Sequence, residues 1–215
     1  PFFIGKSDHA GDPSPFAALS TFLTMQAACR HRFGSDDMSN RTVAVKGVGK
    51  VGGELVRLLH GAGAKKIFIA DIKQSAVDLV HAAFPGVIAV SASDIHRTPV
   101  DIFAPCALGY ECTRETLPEF RCAIMCGGAN NQMSSSDIAT ALHAQGIVYV
   151  PDFLANAGGL IDVADELEDG GYRRDRVLER IQALSTRLEE ILAMSKARNL
   201  PPYLIAKEFV QAYAL

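Results

Sequence analysis

A glycine-rich segment has the spacing that suits a phosphate-bearing ligand. Gly47, Gly49 and Gly52 form the pattern Gly-x-Gly-x-x-Gly, directly after an apolar run and before a helix-like pattern. In that context the first glycine permits a tight turn, the second lets a pyrophosphate approach the backbone, and the third lets helix and strand pack closely. The free N–H groups at the start of the helix would bind the phosphates. The alternative is a glycine-rich turn that binds nothing.

An acidic residue stands where an adenosine ribose could be bound. Asp71 ends the next apolar run, 19 residues after Gly52. Its carboxylate can accept hydrogen bonds from both ribose hydroxyls and would repel a 2′-phosphate, so the sequence favours NAD over NADP. Lys73 weakens this preference, because a nearby cation could partly neutralise a phosphate. The alternative for Asp71 is a solvated loop acid.

Two asparagine-bearing segments follow later apolar runs. Gly127-Gly128-Ala129-Asn130-Asn131-Gln132 is one, and Asn156-Ala157-Gly158-Gly159 is the other. Asparagine amides donate and accept hydrogen bonds without charge, so they could orient a carboxamide or a substrate. The competing interpretations are an ordinary asparagine-rich loop for the first segment and a helix N-cap for Asn156.

Cys106 and the apolar residues near the asparagines have two interpretations each. Cys106, in Cys106-Ala107-Leu108-Gly109, could be a reactive thiol, but no cationic partner is evident and a small buried residue is the favoured interpretation. Leu160 and Val163 are three positions apart, on one face of a predicted helix. They are core residues or the wall of an apolar pocket.

The elements that would position these residues alternate along the chain. Helical patterns occupy most of the gaps between the apolar runs, which predicts a doubly wound, mostly parallel α/β sheet of about six strands. Extra helices are predicted at both ends, over residues 16–33 before the sheet, and over 157–167, 175–198 and from Pro201-Pro202 after it. The predicted strands are residues 42–46, 66–70, 87–90, 100–104, 122–125 and 147–150.

Composition excludes several classes of protein. With 215 residues, 48% hydrophobic and 21% charged, and a net charge of -3, the chain is expected to be globular, with no nucleic-acid partner. Its longest apolar runs fall far short of the roughly 20 residues that span a bilayer, so we expect neither a membrane segment nor a signal peptide. Five cysteines, without metal-ligand spacing, predict a reducing, cytoplasmic location and no metal site.

Several motifs together resemble one enzyme family. The chain looks like the NAD-binding half of the glutamate/leucine/phenylalanine/valine dehydrogenases, and is most similar to the leucine and phenylalanine branch. Such enzymes deaminate an L-amino acid to a 2-oxo acid and ammonia and pass the hydride to nicotinamide, which implies NAD and a small amino-acid substrate. The resemblance rests on residues 11–15, the glycine loop with Asp71, and residues 104–109, 129–132 and 156–167.

The resemblance also implies roles for single residues. The glycine loop would hold the pyrophosphate, and Asp71 would bind the adenosine ribose. Asn131 and Asn156 would contact nicotinamide or substrate. Asn131 is assigned to the substrate, with Leu160 and Val163 lining its side-chain pocket. Ala107, Leu108, Ala129 and Asn130 would lie along the nicotinamide ribose. The residues assigned to the cofactor are Gly47, Val48, Gly49, Lys50, Val51, Gly52, Asp71, Ile72, Cys106, Ala107, Leu108, Ala129, Asn130 and Asn156.

The chain departs from the family in two ways. The family's catalytic lysines and aspartate belong to an N-terminal substrate domain that this chain lacks, so no catalytic residue is expected here. A chain that begins at Pro1 without methionine is expected to be a fragment. The family also has threonine shortly after the Pro-Ser-Pro turn, where this chain has Ala17. The lost hydroxyl suggests an altered nicotinamide site.

The sequence predicts three segments in the chain and leaves two alternative functions open. Residues 1–40 would be a hinge segment and helix, 41–171 the NAD-binding domain, and 172–215 hinge helices, in a protein that is a homo-oligomer at full length. One alternative is a dinucleotide-sensing or regulatory module without chemistry. The other is an S-adenosylmethionine-dependent methyltransferase, which leaves both asparagine segments unexplained.

Overall fold

A parallel sheet organises the chain. The structure, a computed structural model, describes residues 11–213. Its sheet has six strands in the order β3-β2-β1-β4-β5-β6, and every neighbouring pair is parallel. The predicted doubly wound α/β fold is therefore confirmed. The strands are β1 Thr42–Lys46, β2 Lys66–Ala70, β3 Ile88–Ala89, β4 Ile102–Pro105, β5 Ile124–Met125 and β6 Val148–Tyr149.

Eight α-helices occur within the described residues. The helix predicted over 157–167 is α6, which ends at Asp165, and the sequence did not predict the short helix α5 that begins at Asp152. Three short 3-10 turns cover Met38–Asn40, Ile95–Arg97 and Leu117–Glu119. The α-helices are α1 Ser14–Phe33, α2 Lys50–Gly61, α3 Gln74–Ala83, α4 Ile138–Ala144, α5 Asp152–Ala155, α6 Ala157–Asp165, α7 Arg174–Arg198 and α8 Pro202–Tyr213.

Strands β3, β5 and β6 are shorter than their apolar runs predicted. The flanking residues Val87, Ile147 and Val150 are buried, but some backbone groups beside these strands bond to helix ends instead of to the sheet. The Ile147 N–H donates to Leu142 at the end of α4, and the Val87 N–H donates to Phe84 after α3. Apolar runs therefore mark buried chain, and backbone pairing decides where each strand begins.

Core residues lie on both faces of the sheet. Val43 and Val45 on β1 join a cluster with residues of α1, α2, α7 and α8, whereas Ala44 faces a second cluster with Phe103 and Tyr149. Both faces are covered, which explains why the strands are apolar throughout. No helix among residues 11–213 is long and apolar enough to cross a membrane.

Candidate functional site

The glycine loop meets the loop after β4 at the point where the strand order reverses. β1 lies between β2 and β4, so the connections that follow β1 and β4 leave in opposite directions and open a crevice at the carboxyl edge. Gly47 has a φ of 90°, and a Cβ on it would lie 2.6 Å from the backbone nitrogen of Ala107. The two loops are therefore in backbone contact, which only glycine permits here.

The three glycines of the loop differ in what surrounds them. A Cβ on Gly52 would lie 1.8 Å from the carbonyl oxygen of Gly47, so the fold itself requires glycine at this position. A Cβ on Gly49 would meet no protein atom within 4 Å. Gly49 also has a φ of -69°, which any residue can adopt. The protein therefore leaves open space over Gly49 at the start of α2.

Asp71 connects the end of β2 to the glycine loop. One carboxylate oxygen accepts the Val48 N–H at 2.9 Å, and the other accepts the Lys73 N–H at 2.9 Å. Each oxygen can accept a second hydrogen bond. Ile72 and Leu108 are 87% and 88% exposed and follow β2 and β4 at the same edge of the sheet.

The two asparagine segments meet. The Asn156 side chain donates to the Asn130 side chain at 2.5 Å and does not cap α6, so the N-cap interpretation is wrong for its amide. The carbonyl of Asn131 accepts the Tyr110 N–H at 2.6 Å, which ties this segment to the loop after β4. Ala129, in the first asparagine segment, is buried. The loops after β4, β5 and β6 thus form one polar cluster at the carboxyl edge.

Cys106 packs beneath the glycine loop. Its side chain would lie 3.1 Å from a Cβ on Gly52, and its sulfur accepts the Gly128 N–H at 3.4 Å. Burial raises the pKa of the Cys106 thiol to about 11. The thiol is therefore protonated at neutral pH, which favours the interpretation of Cys106 as a packing residue.

The apolar residues of α6 lie beside this cluster. Leu160 is 69% exposed and Val163 is half-buried. Asp162, on the same helix, is fully buried and accepts a hydrogen bond from the Tyr172 hydroxyl at 2.9 Å. Its carboxylate therefore does not share the exposed surface of Leu160.

Two hydroxyls that sequence reasoning missed hold the backbone around Asn156. Ser20 Oγ donates to the Ala155 carbonyl at 2.8 Å and accepts the Gly158 N–H at 3.0 Å. Thr21 Oγ1 lies 3.2 Å from the same carbonyl and 2.8 Å from the Ala17 carbonyl, so its proton is shared between the two acceptors. The signal in the sequence was a pair of polar residues inside the apolar stripe of α1. Buried hydroxyls require partners, and Ser20 bonds to residues on both sides of the junction between α5 and α6.

A further missed residue stabilises the loop after β5. Gln132 is fully buried, and its side-chain N–H group donates to the carbonyls of Gly127 and Ala129 at 2.7 and 2.9 Å. Its backbone N–H donates to Asp152 at 3.1 Å. Gln132 therefore fixes the turn that carries Asn130.

Comparison with known proteins identifies relatives over nearly the whole chain. Leucine dehydrogenase of Geobacillus stearothermophilus is 40% identical over 202 residues, which cover 94% of this chain and 54% of that protein. Phenylalanine dehydrogenase of Thermoactinomyces intermedius is 39% identical over 191 residues, covering 88% and 51%. The crystal structure of L-tryptophan dehydrogenase from Nostoc punctiforme superposes with a TM-score of 0.89 at 32% identity, covering 94% and 61%.

The chain thus spans about half the length of the curated relatives that it matches. The model of one family, glutamate/leucine/phenylalanine/valine dehydrogenase, matches residues 72–198, which include both asparagine segments. The methyltransferase hypothesis does not account for these two segments. From the match over most of the chain and from the six-stranded sheet, we conclude that this chain belongs to the glutamate/leucine/phenylalanine/valine dehydrogenase family.

Proposed function

We propose that the chain is the NAD-binding part of an L-amino-acid dehydrogenase that deaminates an apolar L-amino acid to a 2-oxo acid and ammonia. The observation that carries the proposal is the open space over Gly49, at the start of α2 and beside Asp71. The named relatives act on leucine and phenylalanine, which supports an apolar substrate.

Residues of this chain would bind and orient the cofactor. The first N–H groups of α2 have no partner within the helix and would bind the pyrophosphate. Asp71 would accept the adenosine ribose hydroxyls, and the Asn130–Asn156 pair would orient the nicotinamide end. When bound, NAD accepts the hydride that leaves the substrate. The general acid and base would come from the half of the protein that this chain does not span.

The first prediction concerns cofactor preference. We expect the chain to bind NADH more tightly than NADPH, because the Asp71 carboxylate repels a 2′-phosphate. Asp71→Asn removes the charge and keeps an acceptor for the Val48 N–H. It should narrow the preference by roughly 1 to 3 kcal/mol, the scale of a charge-assisted hydrogen bond. Titration of each cofactor, followed by nicotinamide fluorescence, measures the gap.

Asp78→Asn is the matched control for this experiment. Asp78 lies on α3 and contacts Gln74, so the variant loses the same charge away from the glycine loop. Equal affinities of the unmutated chain for NADH and NADPH would contradict the assignment of Asp71.

The second prediction concerns the substrate and needs the whole protein. An apolar wall of Leu160 and Val163 selects leucine, valine or phenylalanine over glutamate, because burying an unpaired carboxylate is unfavourable. Leu160→Ala should shift the preference toward bulkier substrates, since roughly 1 to 3 kcal/mol depends on each misfitted methylene. Steady-state rates over a panel of L-amino acids measure both effects.

Leu167→Ala is the control, since Leu167 is also exposed but follows the end of α6. A preference for glutamate, or an unchanged profile in the Leu160 variant, argues against this pocket. The absence of turnover with every amino acid would favour the alternative function, a dinucleotide-sensing module. Ala17 supports that alternative, because it replaces the family's threonine and lacks the hydroxyl. Ala17 lies against α6, where a Cβ on Gly159 would be 3.4 Å from the Ala17 Cβ.

The proposal extends to the whole protein's assembly and location. We propose a homo-oligomer in the cytoplasm, with residues 1–40 and 172–215 linking the NAD-binding domain at 41–171 to a substrate domain. All five cysteines are unpaired thiols, which agrees with a reducing compartment.

A further inference from the structure

Lys50 places a positive charge at a position where a helix disfavours one. It is the first residue of α2, whose N-terminus carries a partial positive charge, and α2 has no acidic residue in its first turn. The Lys50 side chain is 77% exposed. Lys50 directly follows Gly49, over which the protein leaves open space. A cation here is slightly unfavourable for the helix alone, and a negatively charged partner offsets that effect.

In the structure that partner is Asp12, from the turn before α1. The Lys50 ammonium donates to one Asp12 carboxylate oxygen at 2.9 Å, and the other oxygen accepts the Ser14 N–H at 3.0 Å. Hydrogen bonds from Ser14 and Lys50 lower the pKa of Asp12 to about 2. Asp12 is therefore fully charged at neutral pH, and its ion pair spans 38 residues of sequence.

This ion pair is weak enough to be exchanged. Both side chains are largely exposed, at 77% and 45%, and exposed pairs contribute little to stability because water and salt screen them. A pyrophosphate over Gly49 would offer the same ammonium two negative charges and more acceptor oxygens. Asp12 and a pyrophosphate cannot both be the close partner of one lysine without repelling each other.

We propose that Asp12 competes with the pyrophosphate of the cofactor for Lys50. In the free protein the ion pair with Asp12 keeps the Lys50 ammonium from the phosphates, and this competition lowers the affinity for the cofactor. The inference rests on the proposed function, because it assumes that a dinucleotide binds at the glycine loop. It adds a specificity-determining pair, in which Lys50 binds the phosphates through its side chain and Asp12 opposes that contact.

The position of Asp12 links this exchange to the other half of the site. The next residue, Pro13, lies against α6, where a Cβ on Gly159 would be 3.4 Å from the Pro13 carbonyl oxygen. α6 begins after Asn156 and carries Leu160. The turn that carries Asp12 therefore touches the helix on the proposed substrate side.

A double-mutant cycle with NADH tests the competition. Asp12→Asn should tighten NADH binding, and Lys50→Gln should weaken it, each by roughly 3- to 10-fold, the range expected for exposed charge contacts. Adding Asp12→Asn to Lys50→Gln should change the affinity less than about twofold, because no lysine remains to compete for. Calorimetric titration at one fixed salt concentration gives all four affinities.

Two controls separate this mechanism from simpler ones. Glu54→Gln removes one negative charge from the same helix, where Glu54 pairs with Arg57, and should leave NADH affinity unchanged. Adenosine, which lacks phosphates, should bind the unmutated chain and the variants equally.

Each other outcome has a distinct meaning. If Asp12→Asn tightens NADH binding equally with and without Lys50, the effect is through-space repulsion and the competition is wrong. If adenosine affinity changes as much as NADH affinity, the pair acts on the shape of the loop and the inference is wrong. If the unmutated chain does not bind NADH, the proposed function fails and the inference fails with it.

Discussion

Gly49→Val is expected to weaken NADH binding by about 100-fold or more while the chain still folds. An added Cβ meets no protein atom within 4 Å, so the side chain extends into the open space that we assign to the pyrophosphate. Loss of two charge-assisted hydrogen bonds from the pyrophosphate corresponds to about 3 kcal/mol. Replacing a glycine N-cap costs the helix about 1 kcal/mol at most. Calorimetry with NADH and a circular dichroism melt measure the two effects separately.

Gly52→Ala is the comparison variant, and it should lower the stability of the fold itself. Its Cβ would lie 1.8 Å from the Gly47 carbonyl oxygen, a backbone atom that cannot move without opening the loop. We expect a lower melting temperature for this variant. If Gly49→Val bound NADH with unmutated affinity, the pyrophosphate would have to lie elsewhere.

The second large effect concerns the loop between α6 and α7. Asp165 is fully buried and accepts hydrogen bonds from Arg176 Nε at 2.5 Å, Arg176 Nη2 at 2.9 Å and the Arg173 N–H at 2.7 Å. Asp165→Asn removes the charge that these donors need. It should lower the free energy of unfolding by roughly 1.5 to 3 kcal/mol, the scale of a hydrogen bond to a charged group, because Asn keeps one acceptor oxygen but loses the charge. Urea unfolding at pH 7 measures the loss.

The same variant should change how stability depends on pH. The Arg176 hydrogen bonds lower the pKa of Asp165. A carboxyl with a lowered pKa contributes stability that is present above its unfolded pKa of about 3.9 and is lost as the pH falls through the folded value. The difference between the two proteins should therefore be largest near neutral pH and shrink below about pH 4.

Asp94→Asn is the control for this second prediction, because Asp94 forms an exposed ion pair with Arg97 and should change stability little. Equal stability of Asp165→Asn and the unmutated chain at pH 7 would contradict the structural role of Asp165.

The fold could be predicted because its signals are local. β-branched and apolar residues in 42–46 and 66–70, alternating with helical patterns, are enough to indicate a parallel sheet covered on both faces. Strand ends were less predictable, because Ile147 is as apolar as a strand residue and yet its N–H bonds to the end of α4. That choice depends on how the helix ends, which the local pattern does not specify.

The candidate site was predictable as a set of loops and not as a set of contacts. The glycine spacing indicates a phosphate loop, but only the folded backbone distinguishes the open space at Gly49 from the closed one at Gly52. The Asn130–Asn156 bond joins residues 26 positions apart, and the bond from Ser20 to Ala155 joins residues 135 apart. Contacts at such separations follow from the sheet order, which must be known first.

A crystal structure of the chain with NADH bound tests the central claim most directly. We predict pyrophosphate oxygens within hydrogen-bond distance of the backbone N–H groups at the start of α2, over Gly49, and adenosine ribose hydroxyls on the Asp71 carboxylate. A dinucleotide bound away from Gly49, or one whose ribose hydroxyls do not contact Asp71, would contradict it.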